Sequence, residues 1–319
     1  MDDEMVDSQV NVPAPARSSA AVGPADGSAG LLTVLALVGA TAGWGGGATM
    51  TRLAVAELPP LTVTCLRFGT GALLLLALLV WRGETRRLPA LRDLGPLALL
   101  GLLGVTLFGA LMTAGLQWTG AAEGTLIQGL SPLFTLGLAA LLVGERVRRA
   151  QLIGGFTALA GLAILLLGDL VNWRGSMDRL FGDLLLICSS LCWAGYNVSV
   201  RLTTNRINLG ESSAFALLLG TALLVPLALL EPTRTPLTDV SVAVWGALAY
   251  LALISTCLAY IWWNAGIRKI GAGRAAMFSF VAPIAAMLSG IPVLGEWPGP
   301  AQLAGGALIL SGLFLANRR

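Results

Sequence analysis

The residue with the most chemistry to offer is one cation inside an apolar stretch: Arg67, within Leu61–Trp81. A cation at membrane depth costs a few kcal/mol unless it is paired or reaches water. Arg67 is therefore expected to face an internal cavity, where it either pairs with Glu123 or binds an anionic group of a ligand. Snorkelling to the headgroups is its alternative. Glu123 opens a later apolar run and is the expected acid for any proton coupling. Pro132 and Pro283 each remove a backbone donor, leaving the carbonyl of Gln128 or Ser279 without its helical partner. In lipid such a break is tolerated where the backbone is buried in protein or lines a watery cavity. Trp44, Trp193, Gln128, Tyr196, Asn197, Tyr260 and Asn264 offer rings and neutral hydrogen-bonding groups at the same depth, with helix packing as their alternative role. The candidate ligand-binding set is Trp44, Arg67, Gln128, Pro132, Trp193, Asn197, Tyr260 and Pro283. Glu123 is the candidate coupling acid.

Other chemistries lack their residues. Histidine is absent, which removes His-based acid–base catalysis and His metal sites. Cys65, Cys188, Cys192 and Cys257 all fall in apolar runs, where a thiol behaves as a small hydrophobe. No Cys-x-x-Cys pair accompanies them, so neither a metal nor a disulfide is expected. No Gly-x-x-x-x-Gly-Lys-Ser/Thr loop is present to hold a nucleotide. The expectation is no catalytic residue, no metal and no cofactor.

The elements that must position these residues are membrane helices. The chain is 56% hydrophobic and 12% charged, with a mean hydropathy of +0.80; a soluble domain carries about 25% charged residues. A span needs about 20 apolar residues, and ten segments qualify: Leu31–Met50, Leu61–Trp81, Leu94–Leu116, Ala122–Val143, Gln151–Leu167, Gly182–Leu202, Ser212–Leu230, Val240–Trp263, Arg274–Leu294 and Ala301–Ala316. Residues 1–30, with four acidic residues in the first seven and no apolar centre, read as a disordered cytoplasmic tail. Fifteen of the 20 basic residues fall on the side shared by both termini, which places those termini in the cytoplasm. The net charge of +3 forms no basic face, which argues against nucleic acid.

The sequence also repeats. Ala114-Gly115 recurs at Ala265-Gly266, and Gly120 at Gly271. Pro132 recurs at Pro283, and Gly144-Glu145 at Gly295-Glu296. Gln151 recurs at Gln302, Gly154-Gly155 at Gly305-Gly306, and Gly161 at Gly312, every pair 151 residues apart. Trp44 and Arg52 match Trp193 and Arg201 at a spacing of 149. An ungapped series this long marks a duplication into residues 31–168 and 182–319. Five helices per copy is an odd number, so the second copy is expected to enter the membrane inverted, an architecture recurrent in secondary transporters.

The stretch SPLFTLGLAALLVGERVRRAQLIGG and its second copy APIAAMLSGIPVLGEWPGPAQLAGG resemble the signature of the EamA family of the drug/metabolite transporter superfamily. Arg67-Phe68, and the Trp44-Gly45 pair with a basic residue eight positions after the tryptophan, fit it too. Arg52 stands where members often carry lysine. The resemblance implies an all-α integral membrane protein of ten helices, a 5+5 inverted repeat around a central cavity. It further implies export of a metabolite, amino acid or drug-like molecule across the cytoplasmic membrane by alternating access. The expected partners are a small-molecule substrate and the lipid bilayer, with a homodimer as an assembly to test. The rival readings are a non-transporting receptor or assembly subunit, and a membrane-embedded enzyme.

Overall fold

The structure is a computed structural model, and it describes residues 27–84, 89–116, 118, 125, 127–166, 177–203, 208–232, 236–294 and 297–317. The described residues are helical, with no strand. The helices are α1 (Gly27–Val55), α2 (Pro60–Trp81), α3 (Leu91–Gly115), α4 (Ser131–Val143), α5 (Arg149–Leu165), α6 (Met177–Thr203), α7 (Leu209–Leu229), α8 (Val242–Ile270), α9 (Ala272–Val293) and α10 (Pro300–Asn317). Eight are long and apolar enough to cross a membrane; α4 and α5 are shorter apolar helices. Two differences from the sequence reading matter. Residues 27–30, expected in the tail, form the first turn of α1. Helix α8 continues past Trp263 to Ile270, which moves Trp263 from a helix end to its interior.

The prolines lie at helix breaks. Pro132 occupies the first turn of α4, just after the turn at Gly129–Leu130. Its missing N–H is harmless there, because the first-turn donors have no intrahelical acceptor. Pro283 follows a 3-10 turn, Met277–Phe280, that interrupts α9. Each proline thus opens the segment beyond a break rather than kinking a continuous helix.

Helices of the first half pack chiefly on helices of the second. Helix α1 lies against α8 and α9, α2 against α7 and α8, and α5 against α10. Glycines permit these contacts. A Cβ on Gly154 would strike the backbone at Gly312 and Ala316, and one on Gly161 the backbone at Gly305 and Ile309; the reverse clashes hold for Gly312 and Gly305. Because Gly305 and Gly312 are the repeat copies of Gly154 and Gly161, α5 and α10 meet through equivalent surfaces. The pattern recurs elsewhere. Gly71 has no room beside Ala252 and Thr256, and its copy Gly220 none beside Gly101 and Val105. Gly115 packs on Leu186, and its copy Gly266 on Leu37.

Helices α3 and α8 each contain a π-helical segment, Leu102–Leu107 and Leu251–Leu258, at matching positions of the repeat. Such segments shift the hydrogen-bond ladder and are frequent at functional sites.

Carboxylates tie the helix ends together. Glu231 accepts from the amides of Leu61 and Thr62, both at 3.0 Å, at the start of α2, where Pro59 offers no side-chain cap. An anion there also complements the helix dipole. Glu57, in the α1–α2 turn, accepts from Ser241 N–H at 2.8 Å, which holds its carboxyl below the ordinary value.

The glycine crossings yield a prediction. Gly154→Ala is expected to destabilise the protein by about 1–3 kcal/mol, the cost of overpacking a close contact. Gly137→Ala, where a Cβ meets nothing within 4 Å, is expected to be nearly silent. Thermal unfolding in one detergent compares the two.

Candidate functional site

Seven aromatic side chains meet in the middle of the bundle: Trp44 of α1, Phe68 of α2, Phe108 of α3, Trp193 and Tyr196 of α6, and Tyr260 and Trp263 of α8. The Trp44 ring centroid is 4.9 Å from Trp263, 5.3 Å from Trp193 and 6.1 Å from Tyr260. Trp193 stacks on Tyr196 at 5.1 Å and lies 5.1 Å from Phe108. Phe68 meets Tyr260 edge-on at 6.0 Å. The mixture of edge-on and offset contacts is the arrangement that ring quadrupoles favour. Tyr196, Tyr260 and Trp263 are buried, whereas Trp44 and Phe108 are only half-buried.

Polar atoms of the cluster are engaged by neighbouring helices. Trp44 Nε1 donates to the Ser255 carbonyl at 2.9 Å, and the Tyr260 hydroxyl to the Gly104 carbonyl at 3.3 Å. Both carbonyls belong to π-helical segments. Trp263 Nε1 donates to Asn197 Oδ1 at 2.8 Å, and Asn197 Nδ2 to Thr135 at 3.3 Å. Asn264 Nδ2 donates to Tyr196 Oη and to Ser213 Oγ, each at 2.9 Å. Gln128 Nε2 donates to Ser189 at 3.1 Å, and its Oε1 accepts from Ser190 at 2.8 Å. Gln128, Asn197 and Asn264 therefore act here as interhelical hydrogen-bond glue, since burying an amide without partners is costly.

Arg67 stands apart from this closed network. Its guanidinium carbon lies 4.4 Å from the Phe68 ring centroid, within cation–π range. Its Nε is buried and has no hydrogen-bond partner among the described residues. Thr64, one turn earlier on the same face of α2, touches the Gly109 position of α3. Arg67 thus lies over Phe68, at the edge of the aromatic cluster. Glu123, the acid expected to pair with it, and Glu296 lie outside the described residues.

Glu145 occupies a separate site. Gly144, in the left-handed region at φ 67°, ends α4 and turns the chain so that Glu145 N–H reaches the Ala139 carbonyl at 3.1 Å. The Glu145 carboxylate accepts from the amides of Ala272 (3.0 Å) and Gly273 (3.1 Å) and pairs with Arg201 Nε at 3.3 Å. Arg201 also donates to the Ile267 and Arg268 carbonyls. One carboxylate thereby joins the ends of α4, α6 and α8 to the start of α9. The arginines adjacent in sequence are Arg146, Arg148 and Arg149, yet the chain folds so that a second-half arginine reaches Glu145.

The candidates Trp44, Trp193, Tyr260 and Arg67 are thus brought together. Pro132 and Pro283 shape the breaks in α4 and α9. Phe68, Phe108 and Trp263 were not among the candidates. Trp263 shares the i, i+3, i+4, i+7 face Tyr260–Trp263–Asn264–Ile267, a signal lost when α8 is ended at Trp263. Among the described residues no group of three or more Cys, Asp or Glu is placed to hold a metal ion. A groove of about 480 Å³ lined by Ile127, Leu130, Phe156, Leu159, Ala160 and Ala163 carries only apolar groups, so it offers no polar recognition.

Comparison with known proteins adds independent information. The model of the EamA-like transporter family matches residues 31–167 and again 180–318. The uncharacterized transporter YyaM of Bacillus subtilis (strain 168) is 26% identical over 84% of this chain and 88% of its own length. The uncharacterized inner membrane transporter YedA of Escherichia coli (strain K12) is 29% identical over 79% of this chain and 80% of its own. A probable terminal-alkyne amino-acid exporter of Streptantibioticus cattleyicolor is 26% identical over 73% and 76%. One solved crystal structure superposes with a TM-score of 0.76 at 23% identity, covering 89% of this chain and 96% of that one, which shows a shared fold.

The unpartnered Arg67 Nε carries a prediction about stability. Replacing Arg67 with Leu removes a buried donor that lacks an acceptor and is expected to stabilise the ligand-free protein by about 1–3 kcal/mol. The melting temperature in detergent should rise; a fall would show that the guanidinium is already paired.

Proposed function

Since the chain belongs to the EamA-like transporter family, and so is a multi-pass membrane transporter, we propose that it exports a small carboxylate-bearing metabolite by alternating access. The observation that carries this reading is Arg67: a half-buried cation whose buried Nε lacks a partner, beside half-buried aromatic rings near the middle of the bundle. A guanidinium forms charge-assisted hydrogen bonds with carboxylate, and Trp44, Phe108 and Trp193 offer the ring faces on which an apolar or aromatic body would lie. The candidate relative named as an amino-acid exporter agrees with both the charge and the direction. Amino acids with apolar side chains are the favoured substrates. The protein would sit in the cytoplasmic membrane with both termini inside the cell.

Alternating access requires two packings of equivalent halves. The repeat-related contacts of Gly154 with Gly312 and of Gly161 with Gly305 support inverted copies, because surfaces related by a two-fold axis must touch reciprocally. The same holds for the pairs Gly71–Thr256 and Gly220–Val105. Two such halves can rock about their crossings and open the site to one side, then the other. The driving force is the gradient of the substrate or of protons, and Glu123 is the proposed coupling acid.

The test is counterflow in proteoliposomes with radiolabelled L-phenylalanine and benzoate. The account expects saturable uptake of at least one of them and at least a tenfold loss in Arg67→Leu, the effect of about 1.4 kcal/mol. L-phenylalaninamide, which lacks the carboxylate, is expected to be a poor substrate. Equal transport of the amide, or full activity in Arg67→Leu, would overturn the assignment of Arg67.

A further inference from the structure

Two access states must differ in the hydrogen bonds around the aromatic cluster, and the repeat shows where. That there are two such states rests on the alternating-access reading above. Trp44 Nε1 donates to the Ser255 carbonyl in the π-helical segment of α8. Moved by the repeat spacings, Trp44 becomes Trp193 and Ser255 becomes Gly104, in the π-helical segment of α3. The matching bond, from Trp193 Nε1 to the Gly104 carbonyl, is not made. The Gly104 carbonyl accepts instead from the Tyr260 hydroxyl at 3.3 Å. Trp193 Nε1 has no hydrogen-bond partner among the described residues.

The two copies differ in the side chain that reaches this carbonyl. The repeat position matching Tyr260 is Gly109, so the first half has no hydroxyl to compete for the Ser255 carbonyl. Trp44 therefore holds its acceptor unopposed, whereas Trp193 faces a rival. Trp193 belongs to the same cluster as the Gly104 carbonyl. It stacks on Tyr196, and the Tyr196 ring lies directly against the Gly104 Cα position. The Trp193 and Tyr260 rings are 6.1 Å apart.

We propose that Trp193 Nε1 and the Tyr260 hydroxyl exchange on the Gly104 carbonyl as the protein passes between its two access states, which makes both of them positioning residues for the transport cycle. Tyr260 holds the carbonyl in the present arrangement; Trp193 takes it in the other. One neutral hydrogen bond replaces another of similar strength, so the exchange itself is nearly balanced. Substrate resting against Trp193 or Arg67 can then tip it, because a ligand shifts an equilibrium by its preference for one state.

The test uses electron-electron distance measurements on spin-labelled, ligand-free protein in lipid nanodiscs, with the four native cysteines replaced. One label pair, Val147 with Lys269, lies where α4 and α8 end; the other, Ala56 with Trp297, lies where α1 and α9 end. Tyr260→Phe keeps the ring and removes the competing hydroxyl. Trp193→Phe keeps a ring and removes the donor. Tyr260→Phe is expected to shift both distance distributions, in opposite senses at the two ends, with at least a threefold change in the population ratio. Trp193→Phe is expected to hold both at the values of the present arrangement. Melting temperatures of the two variants establish that they are folded. Unchanged distributions in Tyr260→Phe, or a shift of Trp193→Phe in the same sense, overturn the exchange while flux in the unmodified protein leaves the transport reading standing. Absence of carboxylate flux in the unmodified protein overturns that reading and the exchange with it.

Discussion

Hydrocarbon gives an apolar helix no preference for another helix over lipid, and this constraint shapes the whole bundle. What holds the helices is close backbone approach and the need to satisfy polar groups internally. The glycine crossings at Gly154–Gly312, Gly161–Gly305, Gly71–Ala252 and Gly220–Gly101 meet the first requirement. The amide and hydroxyl contacts of Gln128, Asn197 and Asn264 meet the second. Nearly all of these contacts run between the two halves, so neither half forms an independent core.

That interleaving sets the position of the site. Helix α1 carries Trp44 into the second half, and α6 carries Trp193 back against Phe108 of the first. The rings close on one another, and their polar atoms, Trp193 Nε1 apart, find acceptors or donors. Arg67 differs: its guanidinium lies over the Phe68 ring, and its buried Nε has no acceptor among the described residues. A buried Nε without an internal acceptor leaves a hydrogen bond for a ligand to supply. At the helix ends the logic reverses: Glu145, Glu231 and Glu57 each meet amides at the start of a second helix, so charge there stabilises connections.

Much of this was legible in the residues because the bilayer restricts what they can do. Apolar run length reveals spans, and the 151-residue spacing reveals the duplication, since both are local or periodic properties. The family resemblance followed from the repeated motif at 131–155 and 282–306, and the special status of Arg67 from its place inside an apolar run. The partner of Glu145 was not legible: Arg201 lies 56 positions away, and the arginines adjacent in sequence are a misleading guide once Gly144 turns the chain. For Gln128 and Asn197 the sequence leaves two roles open, because a polar side chain in an apolar run looks the same whether it faces a cavity or a neighbouring helix. The π-helical segments leave no mark in composition at all. They lie where α3 and α8 are crossed by α7 and α2, which only the packing reveals.

The most direct test of the account is a cryo-electron microscopy structure of the protein in nanodiscs with saturating benzoate or L-phenylalanine. The account predicts ligand density with its carboxylate within hydrogen-bond distance of Arg67 and its ring against Trp44, Phe108 or Trp193. Ligand density in the apolar groove beside Phe156, or at the Glu145–Arg201 pair, with the surroundings of Arg67 unchanged, would contradict it.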